Sequence, residues 1–304
     1  MRFWTEDDVR AQVTMAQAIG SVERILTHEA TGAAWNLDKT MATWPVGDAR
    51  GSAHALGAVD RDADLAVFKT WVNTPSGASA LMTLFAASDG ATLGVAEAGT
   101  AGALRTAAVS GVATRRLSDP DADELAVLGA GRQALRQVEA VAAVRPLRLV
   151  RVWNRTRDRA ESLAGQVRDE LGLEARVAAT VEDATRDAPV VTLVTRAAEP
   201  FLRGEHLAVG AHLNAVGAIL PSHAEFEPAL LDDAAPVVVD SEENARRASR
   251  ELREHDRWDA VHTLAELVTD KVTRPAEPRC TVFKPMGMGL SDLAVAALLV
   301  GGAA

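Results

Sequence analysis

The run Val127-Leu128-Gly129-Ala130-Gly131-Arg132-Gln133-Ala134 limits what this chain can fold into more than any other stretch. A short apolar run, residues 124–128, closes in Gly-x-Gly-x-x-Ala, and a helical pattern over residues 133–144 opens directly behind it. Glycines at such a turn let backbone N–H groups approach a pyrophosphate, and the helix N-terminus adds partial positive charge. The motif gains weight from the alternating segments C-terminal to it. A second strand is expected over residues 147–153 and a second helix over 157–170, with further strands over 189–194, 212–216 and 236–240. Strands alternating with helices require crossovers, and crossovers make a parallel sheet. The expected fold class is α/β, a Rossmann-like doubly wound parallel sheet, with Gly129, Ala130, Gly131, Arg132 and Gln133 as the expected cofactor contacts.

The end of the second strand discriminates between dinucleotides. An acid there accepts the ribose 2′-hydroxyl of NAD. This chain reads Trp153-Asn154-Arg155-Thr156-Arg157 instead. A carboxylate would repel a 2′-phosphate, whereas arginine forms a charge-assisted fork with it and Asn and Thr add neutral hydrogen bonds. Asn154, Arg155 and Thr156 therefore favour NADP(H) over NAD. The competing reading makes Arg155 and Arg157 a solvated helix start, although cations at that end oppose the helix dipole.

Composition excludes other classes. With 32 Lys plus Arg against 42 Asp plus Glu, the formal net charge is −10, which is unsuited to tracking a phosphate backbone, so no nucleic-acid partner is expected. One cysteine, Cys280, rules out an intrachain disulfide and a multi-thiolate zinc site and suits a cytoplasmic location. The 7 histidines are scattered without metal-ligand spacing, so no metal is expected. The absence of tyrosine excludes reductases that use a tyrosine hydroxyl as general acid. The acidic start is no signal peptide, and the apolar stretch 293–304 falls short of the roughly 20 residues a membrane span needs, so it reads as a terminal helix on a core.

The Asp/Pro cluster after Leu117 stops a helical pattern and marks an expected boundary. Residues 119–280 would form the dinucleotide-binding domain, and residues 1–118 with 281–304 an α+β substrate and dimerisation domain. Strands are expected in the first part over 53–60, 65–72 and 80–86. Two cations there sit in apolar company: Lys69 in Val67-Phe68-Lys69-Thr70-Trp71, and Arg105 in Leu104-Arg105-Thr106-Ala107-Ala108. A charge in a buried pattern needs an anion, which a substrate carboxylate, a cofactor phosphate or a structural salt bridge would supply.

At these residues the chain resembles the ornithine cyclodeaminase/mu-crystallin family of NAD(P)-dependent enzymes. The likeness rests on Arg105-Thr106-Ala107-Ala108-Val109-Ser110, Leu128-Gly129-Ala130-Gly131-Arg132-Gln133-Ala134, Val152-Trp153-Asn154-Arg155-Thr156, Asn214-Ala215-Val216-Gly217-Ala218, Val239-Asp240-Ser241, and Thr281-Val282-Phe283-Lys284-Pro285-Met286-Gly287 with Asp292. The Trp-Asn-Arg-Thr run is similar to the mu-crystallin, NADPH-favouring branch. The resemblance implies a homodimer and assigns Lys69 and Arg105 to substrate and nicotinamide. It also assigns Thr106, Thr195, Val216 and Gly287 to the cofactor.

Two departures bear on the reaction. The family's early carboxylate-binding arginine has Lys39 as its nearest match, a point charge rather than a fork. Cyclodeaminases carry an aspartate shortly after Asn-Ala-Val-Gly, where this chain has Ile219, a residue that cannot hold a proton. His223 and Glu225, just beyond it, read as surface-loop residues. The expected function is therefore NADPH-dependent reduction of a small, cyclic α-imino carboxylate or the reverse amino-acid dehydrogenation, with Lys39, Lys69 and Arg105 on the substrate. The alternatives are an ornithine-type cyclodeaminase that recycles NAD and releases ammonia, and a non-catalytic NADPH-binding protein.

Overall fold

The computed structural model describes residues 1–301, so residues 302–304 of the expected terminal helix lie outside the described residues. The chain divides into two compact units, one of Met1–Ala108 with the chain from Met288 onward, the other Val109–Gly287.

The first unit begins with β1 (Arg2–Trp4), α1 (Glu6–Gln12) and α2 (Met15–Ala30). Both helices open in capping boxes, Thr5 with Asp8 and Thr14 with Gln17, which satisfy otherwise orphaned N–H groups. Five longer strands follow: β2 (Ala34–Val46), β3 (Ala49–Asp60), β4 (Leu65–Thr74), β5 (Gly77–Ala86) and β6 (Thr92–Glu97). They form a six-stranded sheet in the order β1-β6-β5-β4-β3-β2, antiparallel except for β1 on β6. Alternation along β4 sends Leu65, Val67, Lys69 and Trp71 to one face and Phe68, Thr70 and Val72 to the other. The register of β2 on β3 slips between Leu37 and Thr40, which sets Asp38 and Lys39 at an irregularity. Helix α3 (Gly99–Leu117) crosses the division between the units, and Glu6 caps its start by accepting from Gly99 N at 2.7 Å and Thr100 N at 2.6 Å.

The second unit carries β7 (Glu124–Leu128), α4 (Ala134–Ala142), β8 (Leu149–Trp153), α5 (Arg157–Leu171), β9 (Glu174–Val177), α6 (Val181–Thr185), β10 (Val190–Leu193), β11 (Ala211–Ala215), β12 (Ala234–Val239), α7 (Glu242–Ala248), α8 (Arg250–His255), β13 (Val261–Thr263), α9 (Leu264–Val268) and β14 (Cys280–Lys284). These strands form one parallel sheet, β13-β12-β14-β11-β10-β7-β8-β9. Progress from β7 goes outward to β8 and β9, then returns to the other side of β7 at β10. The switch point of a doubly wound sheet therefore lies between β7 and β10. The last helix, α10 (Gly289–Gly301), belongs to the first unit, where it packs with α2, β3 and β4.

Two boundaries differ from the sequence reading. The return to the first domain, expected from residue 281, comes later, because Cys280–Lys284 is β14, which runs between β11 and β12 in the parallel sheet. Its Thr281, Val282, Phe283 and Lys284 are all fully buried, as a central strand covered on both faces requires. The first boundary falls inside α3 rather than after it, because the second half of that helix bonds within the second unit. Asn214 Nδ2 donates to Thr114 Oγ1 at 2.9 Å, and the buried Arg145 guanidinium caps the helix end through the carbonyls of Thr114, Arg115 and Ser118. The charged segment 241–255 breaks into two short helices, α7 and α8. Ser249 between them has extended backbone and accepts from Leu252 N.

Candidate functional site

Gly129 follows β7 with φ +119°, and a Cβ there would lie 2.7 Å from Val194 O and 3.0 Å from Thr195 Cγ2. Only glycine permits that backbone and that approach. Ala130 N donates to Asn154 Oδ1 at 3.2 Å, and Asn154 Nδ2 donates to Thr156 O at 2.9 Å. Asn154 thus ties the glycine turn to the end of β8. Gly131 faces open space, and Arg132 is exposed. Gln133 stands at the start of α4 without capping it, and its Oε1 is buried with no hydrogen-bond partner among the described residues. An uncapped helix start behind a glycine turn is a donor set for a pyrophosphate, so these residues fit a dinucleotide. Arg155 and Thr156 are exposed at the end of β8. Arg157 pairs with Glu161 at 2.8 Å, whereas Arg155 makes no ion pair among the described residues.

Beyond the switch point, Thr195 turns its hydroxyl inward. It donates to Glu225 Oε1 at 2.7 Å and accepts from Ala197 N at 3.2 Å, and the Thr195 backbone N–H donates to the same Glu225 oxygen at 2.6 Å. Val216 N bonds Leu193 O at 2.8 Å, and the side chain is buried. Gly287 (φ +91°) donates to Asp240 Oδ2 at 2.8 Å, and its carbonyl accepts from Asn244 Nδ2 at 2.8 Å. Asp240, which also accepts from Met286 N at 2.7 Å, orients this turn. Glu225 is fully buried, not on a surface loop, because four donors hold it inside, whereas Ile219 is half exposed. Nothing in the local sequence near Glu225 signals those donors.

In the first unit Lys69 Nζ lies 2.9 Å and Arg105 Nε 3.3 Å from the same atom, Asp292 Oδ1. Lys69 is 7% exposed and Asp292 1%. Asp292 stands in the first turn of α10, where the helix dipole favours an anion. That turn is seated by contact: a Cβ on Gly289 would lie 2.1 Å from Gly57 O, and Leu290 N donates to Asn36 Oδ1 at 2.9 Å. Asp292 Oδ2 is buried with no hydrogen-bond partner among the described residues. Burial pushes the Lys69 ammonium below its ordinary value; Asp292 opposes this, while Arg105 and Lys39 reinforce it.

An aromatic wall adjoins the cluster. Lys39 Nζ and Lys69 Nζ lie 5.1 Å and 5.3 Å from the Trp71 ring centroid, and the His54 ring stacks on Trp71 at 4.6 Å. The structure therefore gathers Lys39, Lys69 and Arg105, and adds Asp292, Trp71 and His54. Thr106 lies next to Arg105 on α3 and back-bonds to Gly102 O at 2.8 Å. Sequence reasoning misses Asp292 as the partner of the two cations, although an acid in the apolar run Leu290-Ser291-Asp292-Leu293 gives the same signal as Lys69.

Parallel sheet, switch point and glycine turn together define a Rossmann-type dinucleotide-binding protein with a second, antiparallel-sheet unit. The chain belongs to the ornithine cyclodeaminase/mu-crystallin family, whose model matches residues 2–302. It is 39% identical over 217 residues to ketimine reductase mu-crystallin of Mus musculus, covering 71% of this chain and 67% of that protein. It is 34% identical over 203 residues to Delta(1)-pyrroline-2-carboxylate reductase of Bacillus cereus, covering 64% and 62%. The matched segment thus spans about two thirds of these curated relatives. A solved structure of Thermococcus litoralis Delta(1)-pyrroline-2-carboxylate reductase with NADH and L-proline aligns with a TM-score of 0.91 at 26% identity, over 100% of this chain and 97% of that one.

Proposed function

We propose that this protein is an NADPH-dependent reductase of small cyclic α-imino carboxylates. The observation that carries this reading is the buried Lys69–Asp292–Arg105 cluster with one carboxylate oxygen left without a donor. A buried acceptor without a partner is costly, and the N–H of a protonated imine supplies the missing donor while its charge meets an anion. Arg105, whose guanidinium keeps further N–H groups, and Lys39 pair with the substrate carboxylate. Lys69 pairs with Asp292, and its lowered proton affinity makes it a ready donor to an imine that arrives neutral. Trp71 and His54 supply a flat wall for a planar ring. When bound, the reduced nicotinamide supplies the hydride to the imine carbon.

Gly129, Gly131 and the start of α4 hold the pyrophosphate, and Arg155, exposed and without an acid beside it in Asn154-Arg155-Thr156, receives the 2′-phosphate. Arg132, Gln133, Thr195, Val216 and Gly287 line the remainder of the cofactor. The names of the relatives, two of them imine-carboxylate or ketimine reductases, support this reading. Ile219, where cyclodeaminases carry an aspartate, argues against the lyase. Assays of NADPH oxidation with five- and six-membered cyclic imino acids test the proposal; activity on neither, with NADPH bound, contradicts it.

The proposal extends to a homodimer. On the sheet face opposite Lys69, Trp35, Phe68, Val72 and Leu81 are each 41–43% exposed, an apolar patch suited to a second copy.

A further inference from the structure

Glu225, Glu251 and Lys284 are fully buried, and their bonds run to the loops that follow β10 and β11. Glu225 Oε1 accepts from Thr195 N at 2.6 Å and from the Thr195 hydroxyl at 2.7 Å. Its Oε2 accepts from Gly217 N at 2.7 Å and Ala218 N at 3.0 Å. One carboxylate therefore clamps two loops from different strands. Lys284 Nζ donates to Ala215 O at 3.2 Å and to Ala218 O, and lies 3.7 Å from Glu251 Oε1. Glu251 in turn accepts from Glu225 N at 3.1 Å.

Apolar contacts would close these loops more cheaply than three buried charges, for which desolvation alone is severe. What the charges add is a fixed spacing. A Cβ on Gly217 would lie 1.9 Å from Thr195 O, so the clamped loops touch backbone to backbone. On its other side the Val194–Thr195 backbone is met by Gly129, the first glycine of the pyrophosphate turn. Thr195 is thus wedged between that turn and the Glu225 clamp. The strand order puts β8 on one side of β7 and β10 on the other. An adenosine half at the end of β8 leaves the opposite half of a dinucleotide to the end of β10.

We propose that Glu225, held by Lys284 and Glu251, is a positioning residue that sets the loops receiving the nicotinamide half of the cofactor. This rests on the NADPH reading of the dinucleotide site. The test compares two ligands on the full chain by fluorescence titration: NADPH, and adenosine 2′,5′-bisphosphate, which carries only the adenosine end. In Glu225→Gln the amide turns an NH2 toward N–H donors. NADPH binding is expected to weaken at least about tenfold, as loss of charge-assisted bonds implies, with the bisphosphate unchanged. Thr195→Val removes one donor without adding a buried charge, and gives the same split at about threefold.

Equal losses for both ligands would show a general structural role and overturn the proposal, as would wild-type binding of both. If Glu225→Gln does not fold, Thr195→Val decides by the same criterion. A wild-type protein that binds neither ligand would overturn the NADPH reading itself, and this proposal with it.

Discussion

Replacing Asp292 by asparagine leaves the shape of the first-unit cluster but removes the anion that Lys69 and Arg105 share. Lys69 is 7% exposed, and the Arg105 side chain 18%. Removing one member of a buried ion pair costs about 3–5 kcal/mol; because Arg105 keeps some hydration, we take the lower end, about 3 kcal/mol. The loss depends on pH. Burial already lowers the Lys69 proton affinity, and without Asp292 it falls further. Between that lowered folded value and the unfolded value of 10.5, the unfolded chain binds more protons, so stability rises with pH. The deficit of Asp292→Asn relative to wild type should therefore shrink as the pH rises from neutral toward 10.5. Urea unfolding followed by tryptophan emission measures it, and the added change Lys69→Met should restore part of the loss. A deficit under about 1 kcal/mol, or one unmoved by pH, would refute the reasoning.

Arg155→Ala should weaken NADPH by roughly tenfold to a hundredfold and leave NADH unchanged; equal losses in a binding titration would remove the 2′-phosphate assignment. His212 is fully buried, and burial pushes its imidazole down to about 3. The unfolded chain takes up that proton first, so stability should fall by up to about 1.4 kcal/mol per pH unit on acidification below the ordinary histidine value. His212→Gln should flatten that slope in pH-dependent unfolding, and an unchanged slope would assign it to other groups. Phe68→Lys places a charge in the apolar sheet face and should shift sedimentation from dimer to monomer; an unshifted dimer would place the interface elsewhere.

How much of the molecule is legible in the chain depends on how local each signal is. The β7 run, the Gly129–Gly131 turn and the start of α5 are written in consecutive residues, and the structure has them at those positions. Lys69 and Arg105 announce themselves as charges in apolar runs. Their shared anion lies 223 residues from Lys69 in the chain, beyond any periodicity, and the packing of Gly289 on Gly57 and the bond from Leu290 to Asn36 bring it near. Glu225 shows the opposite failure: Pro221-Ser222-His223 spells a polar loop, yet the N–H of Thr195 after β10 and those of Gly217 and Ala218, earlier in its own loop, draw its carboxylate inside. Residues 281–284, expected to open the return to the first domain, are instead a central strand, because pairing in a parallel sheet is set by neighbours distant in sequence.

The most direct test of imine reduction supplies NADPH carrying deuterium on the transferable face of nicotinamide C4, together with a cyclic α-imino carboxylate. One NADPH oxidised per product, deuterium on the α-carbon of the cyclic amino acid, and no ammonia are expected. Ammonia released from a linear diamino acid with no net change in cofactor would contradict imine reduction.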